Sequence, residues 1–450
     1  MAPGERATPR AAPAGRTVGL WGAVAIGIGG MVGGGIFAVL GVVATQAGGG
    51  TPLALLVAGC LALLTAASYA QLSVRYPSRG GSIVFIDRDF RVGILTGALN
   101  NLLWFGYLVT LALYAYAFAN YAATFIGSGD VPSWLHHVLV SLAILVPTGL
   151  NLLSASIVAR TETVIVGLKL LMLLLVVGAG LSTIDPGRLA TSTWPSLPVI
   201  VAAGMLVFVA YEGFELIANA AEDVRRPNRT LPLALFISVG AVAVIYVAVA
   251  VVTVGSLDAS RIAAASDFAL AEASVPSLGQ VGFVLVAVAA LLATLSAINA
   301  TLYGTARLSY AIAAEGELPP ALERRVWDEP VGLLVTAAVA LALANLLDLT
   351  AIAAVASAVF LAVFAAVDAA AARVTGGVGR IIAATGAVGC LVALVVLAVD
   401  TAGRTPVALI VLLVAAAAAG LGELIWLRHR RTVGLTPRAD DVDQRRGQAR

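Results

Sequence analysis

The sequence predicts an all-α chain embedded in a membrane, with twelve spanning helices arranged as two inverted five-helix repeats followed by two further helices. Three observations carry that expectation. Of its 450 residues 60% are hydrophobic and 12% charged, whereas soluble domains carry about 25% charged residues. About twelve apolar stretches can be drawn that reach the roughly 20 residues needed to cross a bilayer at about 1.5 Å per residue. Lysine and arginine concentrate on the cytoplasmic side of membrane proteins, and with both termini inside, 23 arginines fall there and only Arg188, Arg261 and Arg404 outside. The composition excludes a singly anchored soluble enzyme, and a net charge of +2 gives no reason to expect nucleic acid.

In chain order, residues 1–18, rich in Pro, Ala and Arg, read as a disordered cytoplasmic tail. The apolar run from Gly19 continues past Val43, too long for a signal-peptide core and without a cleavage-like site, so it counts as span 1. Breaks at Pro, Gly and charge clusters place the spans near 19–47, 52–74, 92–126, 134–154, 161–183, 196–222, 232–255, 278–314, 331–347, 350–372, 379–399 and 405–428. Spans 3 and 8 are the longest, and spans 1 and 6 carry helix-breaking sequence at mid-span, so the pattern repeats after five. Residues 19–190 then form the first repeat and 191–375 the second, followed by spans 11 and 12 over 376–430 and a disordered cytoplasmic tail over 431–450. A repeat with an odd number of spans inserts upside down relative to its twin, as in many secondary transporters.

Span 1 contains Gly27-Ile28-Gly29-Gly30-Met31-Val32-Gly33-Gly34-Gly35-Ile36-Phe37. Glycine at this density suits either close helix packing or an unwound stretch, which lipid tolerates only where it is buried in protein or lines a wet cavity. An unwound stretch offers free N–H groups to a carboxylate and free carbonyls to an ammonium group or cation. Span 6 places Glu212 and Glu215 around Gly213, in Phe208-Val209-Ala210-Tyr211-Glu212-Gly213-Phe214-Glu215. Carboxylates inside a membrane are costly and mark functional sites by default. Glu215 would open the inner half-helix, either capping its amides or handling protons or substrate; Glu212 faces water or substrate.

Lys169 is the single lysine in the chain, inside span 5. A desolvated ammonium can release its proton near neutrality where a guanidinium cannot, so Lys169 is a candidate proton-coupling group, the alternatives being a snorkelling or permanently paired lysine. Span 8 carries Thr294, Ser296, Asn299 and Thr301, which either bridge helices or supply oxygens beside the break in span 1. Span 3 adds Asn100, Asn101, Trp104, Tyr107, Tyr114 and Tyr116, suited to a pocket wall or to packing. Asp368 in span 10 is a further buried acid. Cys60 and Cys390 lie in apolar runs as small hydrophobes, and His136 and His137 lie at an interface. Neither metal-ligand spacing nor a phosphate loop is present, so no cofactor or metal is expected. The glycosylation patterns at Asn228 and Asn299 fall in the cytoplasm and the membrane and read as accidental.

Gly27 to Phe37, the Arg75-Tyr76-Pro77-Ser78-Arg79-Gly80-Gly81-Ser82 loop, Tyr211 to Pro232 with Glu222-Asp223 and Arg226-Pro227-Asn228-Arg229, and Ser296 to Pro319 together resemble the amino acid, polyamine and organocation (APC) transporter superfamily. The resemblance covers roughly residues 17–375 and is similar in particular to proton-coupled amino acid permeases. It implies a leucine-transporter-type fold with an amino acid between broken helices 1 and 6, flanked by helices 3, 8 and 10. It implies that the carboxylate meets Gly33, Gly34 and Gly35 and the amine carbonyls near Ile28, Gly30 and Met31. Phe208 or Tyr211 would close over the ligand, and rotamers at Tyr107, Phe208, Phe214 and Phe360 would set the pocket's size. Lys169 would replace a sodium ion, with Gly27 and Ser296 as neighbours. Many relatives have Ser at the position of Gly34, and the tryptophan of some basic amino acid exchangers falls on Val209, against arginine or agmatine as substrate.

The resulting expectation is a multi-pass plasma or inner membrane protein, not an enzyme, importing an amino acid by proton symport with alternating access. Its partners are the small-molecule substrate, protons and the lipid bilayer. An exchanger or polyamine carrier of the same fold is the alternative, and a transport-dead sensor a weaker one.

Overall fold

A computed structural model describes residues 16–78, 80–90, 93–126, 131–153, 162–314, 325–326 and 329–433. The expected tails lie largely outside this set. The chain is nearly all helix: α1 (Leu20–Met31), α2 (Gly34–Ala47), α3 (Thr51–Arg75), α4 (Ser82–Phe90), α5 (Ile94–Ala123), α6 (Ser133–Leu153), α7 (Glu162–Gly180), α8 (Leu197–Leu206), α9 (Glu215–Asn219), α10 (Pro227–Ser256), α11 (Ala259–Ala264), α12 (Ala269–Ala314), α13 (Val331–Leu346), α14 (Leu349–Val374), α15 (Gly377–Arg404) and α16 (Pro406–Val433). The described strands are the two-residue β1 (Arg325–Val326) and β2 (Glu329–Pro330), paired antiparallel.

Among the described residues, ten helical segments are long and apolar enough to cross a membrane. Leu20–Met31 and Val331–Leu346 are shorter apolar helices, and α3 is grouped with α2 in one stretch, Gly34–Arg75. Burial sorts the helices. The apolar window of α14 is 83% buried and that of α16 only 11%, so α14 lies in the interior and α16 on the rim, where Ile410, Leu413 and Val414 point outward. Outward aliphatic side chains suit lipid, which supplies the apolar solvent that water cannot.

Three features depart from the expected outline. Val18, assigned to the tail, pairs parallel with Val224: Thr17 and Val18 both donate to the Asp223 carbonyl, and the Arg225 amide donates to Val18. Strand-like pairing satisfies backbone groups that a free tail would leave to water. α12 is two helices separated by a kink at Gly279, whose φ of 63° suits glycine, so a short helix from Ala269, absent from the expected outline, precedes span 8. The segment between spans 2 and 3, given no helix in the expected outline, holds α4, whose Ile83, Phe85 and Ile86 are buried; Asp87, Arg88 and Asp89 hid its apolar face.

Candidate functional site

Span 1 is interrupted between α1 and α2. Val32 closes α1 by donating to the Ile28 carbonyl at 2.8 Å, Gly33 is non-helical (φ −87°, ψ −143°), and no side chain caps α2. The first-turn amides of a helix have no intrahelical partner, so Gly34 and its followers present uncapped N–H groups in the middle of the protein. Span 6 is interrupted differently. Between α8 and α9 the chain tightens into a 3-10 helix over Val207–Phe214, a stretch of β-branched, aromatic and glycine residues that are weaker α-helix formers. Ser357 of α14 serves its start, accepting from the Val209 amide at 3.0 Å and donating to the Leu206 carbonyl at 2.8 Å.

The two interruptions cross through bare backbone. A Cβ on Gly30 would stand 2.7 Å from the Gly213 carbonyl, and one on Gly213 would overlap Gly30 and the Met31 amide. Gly35 meets Ala210 in the same way, with only 3.0 Å from its would-be Cβ to Ala210 Cα. Tyr246 of α10 ties the crossing: its hydroxyl lies 2.6 Å from the Met31 carbonyl and 3.3 Å from that of Ala210. One phenol therefore serves both broken segments.

Around the crossing stand Tyr114 of α5 and Thr294 and Ala297 of α12. A Cβ on Gly33 would lie 3.3 Å from Ala297 Cβ, and one on Gly34 would lie 2.5 Å from Tyr114 Cδ1 and 3.1 Å from Thr294 Cγ2. Tyr114 thus occupies the space that a serine side chain at position 34 would need. Its hydroxyl donates to Glu212 at 3.5 Å, and Glu212 is only 6% exposed.

Glu212 lies in the 3-10 stretch and Glu215, three residues on, opens α9. Both are buried, Glu215 at 2% exposure. Glu215 lies in the first turn of α9, but no side chain caps that helix. It instead accepts a short hydrogen bond from Ser82, the first residue of α4, and Ser82 is in turn bonded to Tyr69. Tyr107 comes beside the same carboxylate. An aromatic cluster encloses this group: Tyr69 packs edge-on against Phe85, Phe214 and Phe364, and Tyr107 against Phe360. Each such pair adds about 0.5–1.5 kcal/mol beyond its buried area.

Of the expected site residues, Gly30, Met31, Gly33, Gly34, Gly35 and Glu212 come together at the crossing, while Tyr107, Phe214 and Glu215 form the adjacent cluster. The Ile28 carbonyl accepts from the Val32 amide at the end of α1. Phe208 packs on Phe364, and Tyr211 turns away, donating to the Leu55 carbonyl of α3 at 2.9 Å. Gly27 faces Ile217 and Ser238. Ser296 is partly buried on α12, one turn from Ala293. Lys169 is 2% exposed and shares with Val166, Leu173 and Val176 the buried stripe of α7, so it faces protein, not lipid. Val166 of that stripe lies 2.9 Å from where a Gly29 Cβ would be, which brings α7 against α1. Asn299 bridges helices, accepting from Asn151 of α6 at 2.5 Å. His136 and His137 bond to Asn120 and Asn345, and no cluster of potential metal ligands occurs among the described residues. Tyr246, Ser357 and Tyr69 carry no signal in the sequence, and Ser82 stands out there only as the end of the Arg75–Ser82 loop motif. Tyr246 and Ser357 bond backbone of the breaks, and Ser82, with Tyr69 behind it, bonds Glu215; a lone hydroxyl in an apolar run carries no periodic signal.

The model of a family described as amino acid permease matches residues 18–419. The chain belongs to the amino acid permease family. Among similar proteins, one from Methanocaldococcus jannaschii is 38% identical over 350 residues, 77% of this permease and 80% of that protein. The inner membrane transport protein YbaT of Escherichia coli is 35% identical over 347 residues, 77% of this permease and 81% of its own length. Cationic amino acid transporter 9, chloroplastic, of Arabidopsis thaliana is 28% identical over 327 residues, 69% of this permease and 57% of its own length. The protein is thus a multi-pass membrane transporter and not an enzyme.

Proposed function

We propose that the permease imports an amino acid across the cell membrane by proton symport, with both termini cytoplasmic and twelve spans built as two inverted five-helix repeats plus α15 and α16. The observation that carries the proposal is the crossing of the two breaks at Gly30 and Gly213, with buried titratable groups beside it. Uncapped amides at Gly33, Gly34 and Gly35 suit a carboxylate, since a helix N-terminus favours negative charge. Carbonyls of Ile28 to Met31 and the Glu212 carboxylate suit an ammonium. Lys169 holds the proton while substrate enters from outside, and α1, α2, α3, α8, α9 and α10 rock against the remaining helices. Loss of the proton inside resets the cycle. One charge moved through 100 mV supplies about 2.3 kcal/mol, enough to accumulate substrate. YbaT, named an inner membrane transport protein, supports the same location here.

A second possibility has one specific observation in its favour. Glu212 is a buried carboxylate whose hydrogen bond from Tyr114 is long, and it suits the ammonium of a cationic amino acid or polyamine in an exchange cycle. A thermal-shift screen of the twenty amino acids and common polyamines identifies the ligand. Uptake of that ligand into proteoliposomes then separates the two: symport proceeds into empty vesicles with only an inward proton gradient, and exchange requires internal substrate. Uptake indifferent to the gradient overturns symport.

A further inference from the structure

One buried acid plays no part in the cycle above. Asp368 lies near the end of α14, fully buried, where α14 meets α3 and α15. Its Oδ2 accepts from Thr65 Oγ1 of α3 at 3.0 Å and lies 3.7 Å from the Cys390 thiol of α15. Gly386 makes room for it, since a Cβ there would stand 2.7 Å from Oδ2. Its Oδ1 has no hydrogen-bond partner, and neither has Ser68 Oγ, although Ser68 lies on the next turn of α3 and faces the same carboxyl.

No Lys, Arg or His pairs with Asp368 among the described residues. The titratable groups turned toward it are Tyr69 from α3 and Cys390 from α15, with Glu215 of α9 beyond Tyr69. Of the acids on other elements, Asp87 of α4 is bonded by Asn100, Asp89 of α4 pairs with Arg373 of α14 itself, and Glu423 of α16 lies beside Gly97 of α5. Tyr107 of α5 and Glu212 belong to the crossing and its adjacent cluster.

We propose that Asp368 is a protonatable latch between α3 and the α14–α15 pair. As a neutral acid it donates Oδ1–H to Ser68 Oγ while Oδ2 accepts from Thr65, so a single proton gives both unpartnered atoms a partner. An ionised carboxylate accepting from Ser68 would also pair them, but it would leave a lone charge inside the bilayer with no cation to offset it. When the proton passes to water, the carboxylate draws water between the two surfaces and the latch opens. Its purpose rests on the rocking motion proposed above, because α3 packs chiefly on α10 while α14 packs chiefly on α15 and α5. Its protonation does not rest on that motion.

The test uses the full chain in lipid nanodiscs and needs no substrate. Infrared difference spectra between acid and alkaline buffer are expected to show a carboxylic acid C=O band that disappears on raising the pH, is absent in Asp368→Asn and persists in Lys169→Ala. Ser68→Ala, which removes the hydroxyl and no carboxyl, is expected to move the loss of that band to higher pH, because the hydroxyl bonds the ionised carboxylate more strongly than the neutral acid. An unchanged spectrum in Asp368→Asn overturns the protonation, and an unmoved band in Ser68→Ala overturns the bonding. Opening is read by N-ethylmaleimide alkylation of Cys390 in a Cys60→Ser background. In alkali it is expected to run about fivefold faster with Asp368 than with Asn, a modest population shift, and equally in acid. A neighbouring carboxylate would by itself slow thiol ionisation, so a faster rate reports opening. Equal rates in alkali overturn the latch, whereas failure of proton-driven uptake leaves all three results standing and defeats only symport.

Discussion

The two interrupted spans solve one problem in opposite ways. At the first, three successive glycines let the chain open, and the amides that begin α2 are left without a side-chain cap. At the second, the chain tightens into eight residues of 3-10 helix, and Ser357 and Tyr246 take up backbone groups at positions 206, 209 and 210. The open break presents donors and is suited to binding, while the tightened one is held by its neighbours and carries the carboxylates. In lipid, both are tolerable only because they are buried in protein. Backbone irregularity therefore marks a site most clearly where partners are missing, not where the helix geometry deviates most.

Replacing Gly213 with Ala strikes both breaks at once. The new methyl would overlap the backbone of Gly30 and Met31, and backbone cannot turn aside as a side chain can. Expected is a loss of about 3 kcal/mol or more, seen as failure to recover a monodisperse protein in detergent. A well-folded Gly213→Ala chain would show that the crossing is looser than described.

Tyr246→Phe and Ser357→Ala sharpen the comparison. Each removes one hydroxyl and strands backbone groups, at a cost of about 1–2 kcal/mol by the usual worth of a buried hydrogen bond and its membrane counterpart. Ser357→Ala is expected to lower thermal stability while leaving ligand affinity within about twofold, since it touches only the tightened break. Tyr246→Phe, which frees the Met31 carbonyl as well, is expected to change both. Identical effects on affinity would erase the distinction between the breaks.

The smallest effect belongs outside the membrane. The hydrogen bond from Ser260, followed by that from the Arg261 amide, holds the Asp258 carboxyl below its usual range. A carboxylate with a lowered pKa contributes stability above its unfolded value and loses it as the pH falls through the folded one. Acid melting curves of Asp258→Ala should lack the increment that wild type loses, while the two breaks are unaffected.

That the chain is built of apolar helices, and that the first and sixth spans are interrupted, was legible in hydropathy, in glycine density and in a pair of carboxylates that lipid penalises. The burial of Lys169 followed from its place within span 5, since a lysine that deep is costly on a lipid-facing surface. Tyr246 and Ser357 were not legible, because their partners lie between 36 and 215 residues away for Tyr246 and about 150 away for Ser357. Neither contact leaves a trace in local periodicity. The helix α4 was masked by its three charges, which pair or face outward while Ile83, Phe85 and Ile86 hold it down. The tightening of span 6 was signalled only weakly, by β-branched and aromatic residues that also suit an ordinary apolar helix.

Proton coupling through Lys169 is tested most directly by uptake of the identified ligand into proteoliposomes with and without an inward proton gradient, in wild type and Lys169→Ala. The expected result is gradient-driven accumulation by wild type and none by the variant, with the variant still melting cooperatively and still binding ligand. Accumulation of the same extent in Lys169→Ala would contradict it.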